Sequence, residues 1–290
     1  MTESDYANPH VLVDTSWVAA YLEDHSVRLV EVEASGQRYA TGHIPGAVAL
    51  DWRSDLQSQS MRDFVTREEF EALMASRGIA NDTIVVFYGD SANLYAACAF
   101  WLFKLYGHRD CRILDGGRAQ WEAGERQFSS ATPDFAPSAY RAQAADLSLR
   151  AFRDQVLAHI YANEPLVDAR SPAEYAGTPA SGRPLHPTSH AHEGAQRAGH
   201  IPTARNVPWT ATTNPGGGFK RAAELHELYR VEGISPDQPV ITYSNTGERS
   251  AHTWFVLTQL LGYPDVRNYD GSWTEWGSLV RAPIERGAGE

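Results

Sequence analysis

The sequence has 290 residues, which is enough for two domains of ordinary size that each bury a core. Its hydrophobic fraction of 42% and charged fraction of 21% are typical of a soluble globular protein. The net charge of −11 argues against a nucleic-acid partner, and no apolar run is long enough to predict a membrane span. Residues 1–5 are polar and acidic, so no secretory signal is predicted and a cytoplasmic location is expected.

The first half of the chain alternates short apolar runs with amphipathic segments. Apolar runs without polar alternation, separated by helices, are typical of a parallel sheet that is covered by helices on both faces. We therefore predict an α/β architecture for this half. The predicted strands are residues 27–32, 83–88 and 111–114, and the predicted helices are residues 67–76 and 94–106.

Two cysteines occur in this half, Cys98 in the second predicted helix and Cys111 in the third predicted strand. Two thiols in a chain of this length do not make a disulfide framework. Because free cysteine is among the residue types most often buried, we expect both to be small core residues.

A segment rich in Pro, Ser and Ala follows the first half. Residues 129–147 lack periodicity, and we predict that they link an N-terminal domain (residues 8–128) to a C-terminal domain (residues 148–285). The C-terminal domain repeats the α/β alternation but carries a polar insertion at residues 177–198. Its predicted strands are residues 164–168 and 239–243, and its predicted helices are residues 222–229 and 249–261.

The insertion contains His186, His190 and His192. Their spacing matches no established pattern of metal ligands, and no acidic residues accompany them regularly. We interpret this segment as a flexible polar loop and predict no metal site.

The two halves share one set of motifs. Residues 42–45, Gly-His-Ile-Pro, recur as residues 199–202, and from Gly78 onward the matched residues lie 155 positions apart. Matches over so long a stretch indicate a duplicated fold. His43 and His200 occupy equivalent places in both halves, so we interpret them as structural. A difference inside a matched segment is therefore informative about chemistry.

One such difference lies after the strand that ends at residue 243. Ser244 and the small polar residues after it bend towards a helix N-terminus, where backbone N–H groups and the helix dipole favour an anion. Gly247 can supply a positive φ for the bend, and Arg249 adds a fixed positive charge. The matched loop, residues 89–95, has no Arg and carries Asp90. We therefore predict that the C-terminal domain holds the functional site.

The whole chain resembles the two-domain thiosulfate sulfurtransferases, or rhodaneses. The duplication and residues 199–202, 247–255 and 268–276 carry this resemblance. It implies two tandem rhodanese-like domains, each a parallel sheet with helices on both faces. It also implies a loop-borne cysteine that takes the outer sulfur of thiosulfate as a persulfide and passes it to cyanide or another thiophile. No cofactor is implied, because the sulfur is carried by the protein itself.

Ser244 stands at the position of the family's catalytic cysteine. An alkoxide is much harder to form than a thiolate, and oxygen cannot hold a sulfane sulfur as a persulfide does. The sequence as written is therefore expected to be inactive in sulfur transfer. Two explanations stay open: a Cys→Ser substitution that was engineered, or a natural inactive form that keeps the loop as a binding site.

The loop and the resemblance together define a candidate site. Ser244, as the nucleophile position, and Arg249 are the candidate catalytic residues. Arg170, Arg183 and Arg197 lie on or beside the insertion, and Arg197 is the best placed to reach the sulfonate of thiosulfate. Glu248 is expected to point outward or to pair with a neighbouring Arg. The candidate substrate-binding residues are Asn245, Thr246, Gly247, Glu248, Ser250 and Arg197.

Asp168 ends a predicted strand and is matched by Glu31 in the first half. Its carboxylate could support the loop by accepting hydrogen bonds from the loop's backbone, or it could be a solvated turn residue. Both interpretations stay open at this point.

The sequence leaves several functions to compare. Thiosulfate fits the loop better than 3-mercaptopyruvate as the sulfur donor, because the loop ends in Arg249. A non-catalytic module that binds an anion or a protein is the alternative. Phosphatase chemistry is disfavoured, because only four residues separate Ser244 from Arg249. Two domains in one chain already supply an intramolecular partner, so we expect a monomer.

Overall fold

The computed structural model describes residues 5–34, 36–178 and 194–287, and it divides into two compact units. The N-terminal unit joins residues 10–146 with residues 213–219. The C-terminal unit consists of the described parts of residues 1–9, 147–212 and 220–290.

The N-terminal unit contains a five-stranded sheet in the order β1-β5-β4-β2-β3, and each neighbouring pair is parallel. Two central strands, β2 and β4, are buried along most of their length. The sequence of β4 is continuously apolar, as expected for a strand covered on both faces, whereas β2 also buries the charged residues Arg28, Glu31 and Glu33. The strands are β1 (Leu12–Val13), β2 (Val27–Glu33), β3 (Val48–Asp51), β4 (Ile84–Tyr88) and β5 (Cys111–Leu114), and the helices are α1 (Thr15–Ala20), α2 (Gln37–Thr41), α3 (Arg67–Ser76), α4 (Leu94–Leu105) and α5 (Gly117–Ala123).

The C-terminal unit contains a four-stranded parallel sheet in the order β7-β6-β8-β9. Strand β8 lies between β6 and β9, so the loop that follows it is flanked by the ends of two strands. The strands are β6 (Leu166–Asp168), β7 (Ala204–Asn206), β8 (Val240–Tyr243) and β9 (Val266–Tyr269), and the helices are α6 (Arg153–Ala162), α7 (Pro172–Ala176), α8 (Ala222–Arg230), α9 (Glu248–Phe255) and α10 (Ser272–Trp276).

These elements confirm the predicted α/β architecture in two tandem domains. The observed bounds agree with the predicted ones to within two residues, with one exception. The helix predicted over residues 249–261 begins at Glu248, and its second half, Val256–Leu260, is a π-helix. Widened turns of this kind are uncommon and occur frequently near functional sites.

The same aromatic contact secures the Gly-His-Ile-Pro motif in each unit. His43 stacks on Tyr39 with ring centroids 3.8 Å apart, and His200 stacks on Tyr175 at 3.7 Å. Each Nδ1 atom also lies within hydrogen-bond distance of the stacked tyrosine's own carbonyl oxygen, at 3.0 Å and 2.9 Å. The two contacts agree with the structural role predicted for these histidines.

Residues 129–146, predicted as part of a linker, belong to the N-terminal unit. His43 and Ser129 form an antiparallel bridge, and the Ser138 hydroxyl donates to the carbonyl oxygen of Ile79. The boundaries at residues 8–128, 129–147 and 148–285 stay predictions.

Both cysteines are buried, as predicted. The Sγ atom of Cys98 accepts a hydrogen bond from the Trp52 indole at 3.3 Å, and burial raises the pKa of Cys111 to about 12. Neither thiol is therefore disposed to react. Over the residues that the structure describes, no helix is long and apolar enough to cross a membrane.

Candidate active site

Ser244 follows β8 directly and is fully buried. Its backbone N–H donates to the Ser272 hydroxyl at 3.0 Å, and its carbonyl oxygen accepts the N–H of Trp273 at 3.0 Å. The Ser272 hydroxyl in turn donates to the carbonyl oxygen of Tyr269 at 2.8 Å. The first turn of α10 therefore fixes the backbone of Ser244 on both sides.

The loop closes over the Ser244 side chain. The backbone N–H of Gly247 donates to Ser244 Oγ at 3.1 Å, and the Ser250 Oγ atom lies 3.5 Å from the same oxygen. Gly247 has a φ of +101°, and a Cβ atom there would lie 2.9 Å from the Cα atom of Asp270. The bend thus requires glycine, and it directs the Gly247 amide at the side chain of residue 244.

Arg249 is held by carboxylates. Its Nη1 atom donates to both carboxylate oxygens of Glu174, at 3.2 Å and 3.1 Å, and its Nε atom lies 3.7 Å from a carboxylate oxygen of Glu248. The Arg249 side chain is 29% exposed. The carboxylates of Glu174 and Glu248 therefore face the guanidinium that the sequence analysis predicted to bind an anion.

Glu248 is buried rather than outward-facing, which excludes one of the two interpretations of this residue. Its carboxylate accepts the hydroxyl hydrogen of Thr246 at 2.5 Å and lies beside Arg249. Pairing with a neighbouring arginine is the interpretation that agrees with the structure.

Asp168 is fully buried, so the interpretation as a solvated turn residue is wrong. Its carboxylate accepts the backbone N–H of Arg170 at 2.9 Å and the Arg170 guanidinium at 2.6 Å, rather than amides of the 244–250 loop. The Arg170 Nη2 atom also donates to the carbonyl oxygen of Gly199 at 2.8 Å. Arg170 is thus part of a buried ion pair with Asp168.

The remaining predicted residues lie in different surroundings. Arg197 is exposed, its guanidinium donates to the carbonyl oxygen of Gln196, and its own carbonyl oxygen accepts the indole N–H of Trp273 at 2.9 Å. The carbonyl oxygen of Asn245 accepts the N–H of Thr274 at 3.1 Å. Their roles in binding substrate stay predictions.

Arg183, His186, His190 and His192 lie outside the described residues. Within the described ranges, no group of three or more His, Cys, Asp or Glu side chains is arranged to hold a metal ion.

Two residues that the sequence analysis missed, Glu174 and Ser272, contact the loop directly. Ser272 has a φ of +54°, which is unusual for a residue other than glycine, and the matched Gly117 has the same φ. Glu174 precedes Tyr175 as Arg38 precedes Tyr39. Both are differences inside matched segments, so the comparison of the two halves could have found them.

The fold and the site can now be compared with known proteins. A family model described as Rhodanese-like domain matches residues 14–124 and 152–279. The chain belongs to this family. Each of the two units is therefore a rhodanese-like domain, and the two domains follow one another in tandem, as the resemblance implied.

Two relatives match nearly the whole chain. "Sulfur carrier protein TtuD" from Thermus thermophilus is 49% identical over 97% of this chain and 99% of its own length. "Putative thiosulfate sulfurtransferase" from Saccharopolyspora erythraea is 50% identical over 95% of this chain and 96% of its own length. These relatives place the chain in a family of sulfurtransferases.

A solved structure shares the fold at lower identity. The anaerobic ergothioneine biosynthesis enzyme from Chlorobium limicola superposes with a TM-score of 0.83 and 23% identity, over 97% of this chain and 71% of that one. At this identity the similarity supports the fold alone.

Proposed function

We propose that this chain is a sulfurtransferase scaffold of the thiosulfate type whose loop 244–250 binds a small sulfur oxyanion, with Ser244 in place of the nucleophile. One observation carries the proposal: Ser244 is buried at the end of β8, and the Gly247 amide donates to its Oγ atom at 3.1 Å. A thiolate or persulfide at this point would receive the same hydrogen bond. The names of the relatives support thiosulfate as the donor.

The reaction explains why the atom at position 244 matters. A thiolate attacks the outer sulfur of thiosulfate, the S–S bond of thiosulfate breaks, and sulfite leaves while the protein keeps a persulfide. Cyanide then attacks the outer sulfur, the S–S bond of the persulfide breaks, and thiocyanate leaves as the thiolate is restored; another thiophile would take the same sulfur to give its own sulfur adduct. A serine hydroxyl has a pKa far above that of a thiol and forms no such S–S bond, so neither step proceeds in this sequence.

The chain's two cysteines do not replace the missing nucleophile. Cys98 and Cys111 are both buried, and the raised pKa of Cys111 keeps that thiol protonated at neutral pH. The protein with Ser244 is therefore expected to bind thiosulfate but not to transfer its sulfur. We further propose that it acts as a monomer.

Restoring the nucleophile tests the proposal. Ser244→Cys is expected to form thiocyanate from thiosulfate and cyanide, and to gain the mass of one sulfur atom after thiosulfate alone. The unchanged protein is expected to do neither. Ser250→Cys is the matched control, because Ser250 is also buried in the loop and its Oγ atom lies 3.5 Å from Ser244 Oγ. It lacks the Gly247 donor, so we expect it to stay inactive.

The alternative is a non-catalytic rhodanese-like module that recognises an anion or a protein through the intact loop. The Ser244 hydroxyl that completes the loop favours it, because the loop is well formed around the oxygen that is present. A folded Ser244→Cys variant that forms neither thiocyanate nor a persulfide would support this alternative and refute the sulfurtransferase scaffold.

A further inference from the structure

The Glu174 carboxylate occupies the position that an anionic ligand of Arg249 would need. Both of its oxygens lie within 3.2 Å of the Arg249 Nη1 atom. Arg249 is the cation of the loop, and no step of the proposed reaction uses Glu174. We propose that Glu174 is a gate: an internal carboxylate that competes with sulfur oxyanions for Arg249 and so sets which anions the site accepts. This inference rests on the proposed function.

The structure keeps Glu174 in place through its own helix. Glu174 is the third residue of α7, and it forms a capping box with Ser171: its carboxylate accepts the Ser171 N–H at 3.0 Å, and its N–H donates to the Ser171 hydroxyl at 3.3 Å. The carboxylate also accepts the Ser171 hydroxyl hydrogen at 2.7 Å. The gate is therefore anchored at α7 and contacts Arg249 of α9.

Glu174 is ionised at neutral pH. Burial raises its pKa, but Arg249 and the hydrogen bonds from Ser171 lower it, and the net shift is downward. With Glu248 beside Arg249, the three groups carry a net negative charge. A dianion such as thiosulfate therefore meets repulsion unless Glu174 releases the guanidinium.

The geometry makes Glu174 a specificity-determining residue rather than a catalytic one. Its carboxylate contacts Arg249, whereas the reacting atoms would be at Ser244. Removing its charge should strengthen anion binding and leave the chemistry at position 244 largely unchanged. Simple loss of a structural contact would have the opposite effect, because a released Arg249 would be less ordered.

The test compares Glu174→Gln with the unchanged protein by calorimetric titration with sodium thiosulfate, and with sodium sulfate as a second probe. Glutamine preserves the capping box, so α7 is expected to stay intact. Because a partly exposed ion pair contributes at most about 1 kcal/mol, we expect the Kd of Glu174→Gln for thiosulfate to fall by up to about fivefold. A similar gain for sulfate would identify the shared dianionic group as the recognised feature.

Glu224→Gln is the matched control. Glu224 is also the third residue of its helix: its carboxylate accepts the backbone N–H of Arg221 at 3.3 Å and forms an ion pair with the guanidinium of the same arginine at 3.0 Å. This pair lies on the surface at α8, so Glu224→Gln should leave thiosulfate binding unchanged.

A second readout uses the Ser244→Cys background. Adding Glu174→Gln there should lower KM for thiosulfate several-fold while kcat changes little. An unchanged or weakened affinity for thiosulfate in Glu174→Gln would overturn the gate, whether or not Ser244→Cys is active. An inactive Ser244→Cys variant would instead overturn the proposed reaction, so the two failures are distinguishable.

Discussion

The loop after β4 and the loop after β8 occupy the same place in two copies of one fold, yet their interiors differ. In the N-terminal loop, Asn93 is buried, accepts the Gly89 N–H at 3.1 Å and donates to the carbonyl oxygen of Leu114 at 2.7 Å. In the C-terminal loop, Ser244 Oγ accepts the Gly247 N–H instead. One loop is filled by its own side chain, whereas the other is arranged around the first residue after the strand.

The arginine that pairs with the buried carboxylate comes from a different place in each unit. Glu33 follows Glu31 by two residues along β2, whereas Arg170 follows Asp168 by two residues at the end of β6. The Glu31 carboxylate is paired instead with the guanidinium of Arg118 in α5, at 2.7 Å. Duplication has thus kept the backbone and the buried carboxylate, and has moved the arginine that balances it.

The largest effect is expected from removing the arginine of each buried pair. Arg170→Met should lower the free energy of unfolding by about 3–5 kcal/mol, because Asp168 would be left buried and unpaired. Arg118→Met should cost less, since Arg118 makes one hydrogen bond to Glu31, whereas Arg170 makes several to Asp168 and another to Gly199. Urea unfolding followed by amide exchange in β2 and β6 reports each unit separately.

Arg230→Met is the control for this pair of variants, because its ion pair with Glu227 lies on the surface. It should have little effect. Equal losses of unfolding free energy in Arg170→Met and Arg118→Met would contradict the comparison. They would mean that the pair between near residues, Asp168 and Arg170, stabilises its unit no more than the pair between distant residues, Glu31 and Arg118.

The next effect is a pH dependence confined to the N-terminal unit. Burial raises the pKa of Glu31 to about 7, although the Tyr88 hydroxyl and Arg118 oppose the shift; a hydrogen bond with Glu33 adds to it. Because this folded-state pKa exceeds the ordinary value of 4.5, the folded state keeps a proton that the unfolded state loses. The stability contributed is complete below pH 4.5 and is lost as pH rises to about 7.

The slope from this one group should approach about 1.4 kcal/mol per pH unit inside that window. Glu31→Gln should remove this part of the slope, which is measured as the difference between the two urea midpoints from acid to neutral pH. Parallel curves for the two proteins would show that Glu31 is ionised throughout.

The α/β fold and its duplication could be predicted from the sequence because they depend on local sequence patterns. A continuous apolar run predicted β4 and a mostly apolar run predicted β2, and the constant offset between Gly78 and its repeat showed the duplication. The contact between Arg249 and Glu174 could not be predicted from such local patterns, since the two residues lie 75 positions apart and the contact depends on how α7 meets α9. The partner of Asp168, Arg170, lies only two residues away, but the sequence was equally compatible with a carboxylate that accepts loop amides or faces solvent.

A smaller effect is expected from placing a thiol in the N-terminal loop. A side chain at Gly89 would bring its Cβ atom within 2.6 Å of the Val32 carbonyl oxygen. Gly89→Cys should therefore cost about 1–3 kcal/mol of stability and form no thiocyanate. Ser244→Cys provides the comparison in the same cyanide assay, and activity in Gly89→Cys would mean that the filled loop can open around a nucleophile.

The smallest effect is expected at the N-terminal ion pair that corresponds to the pair between Glu174 and Arg249, with the positive and negative residues exchanged. Arg38 of α2 pairs with Asp90 of the N-terminal loop at 3.0 Å, with side-chain exposures of 60% and 37%. Exposure screens this pair, so Arg38→Gln should change stability by no more than about 0.5 kcal/mol. Asn93 fills the loop beneath it, and thiosulfate affinity should therefore also stay the same.

Titrating Arg38→Gln beside Glu174→Gln sharpens the comparison, because each variant removes one charge from the helix residue that precedes the stacked tyrosine. A gain in affinity for Glu174→Gln alone locates anion binding at the loop that contains Arg249. If Arg38→Gln weakened thiosulfate binding instead, Arg38 would be an anion ligand. The N-terminal loop would then be a binding site in spite of Asn93, and the contrast between a filled loop and the loop that we propose to bind anions would fail.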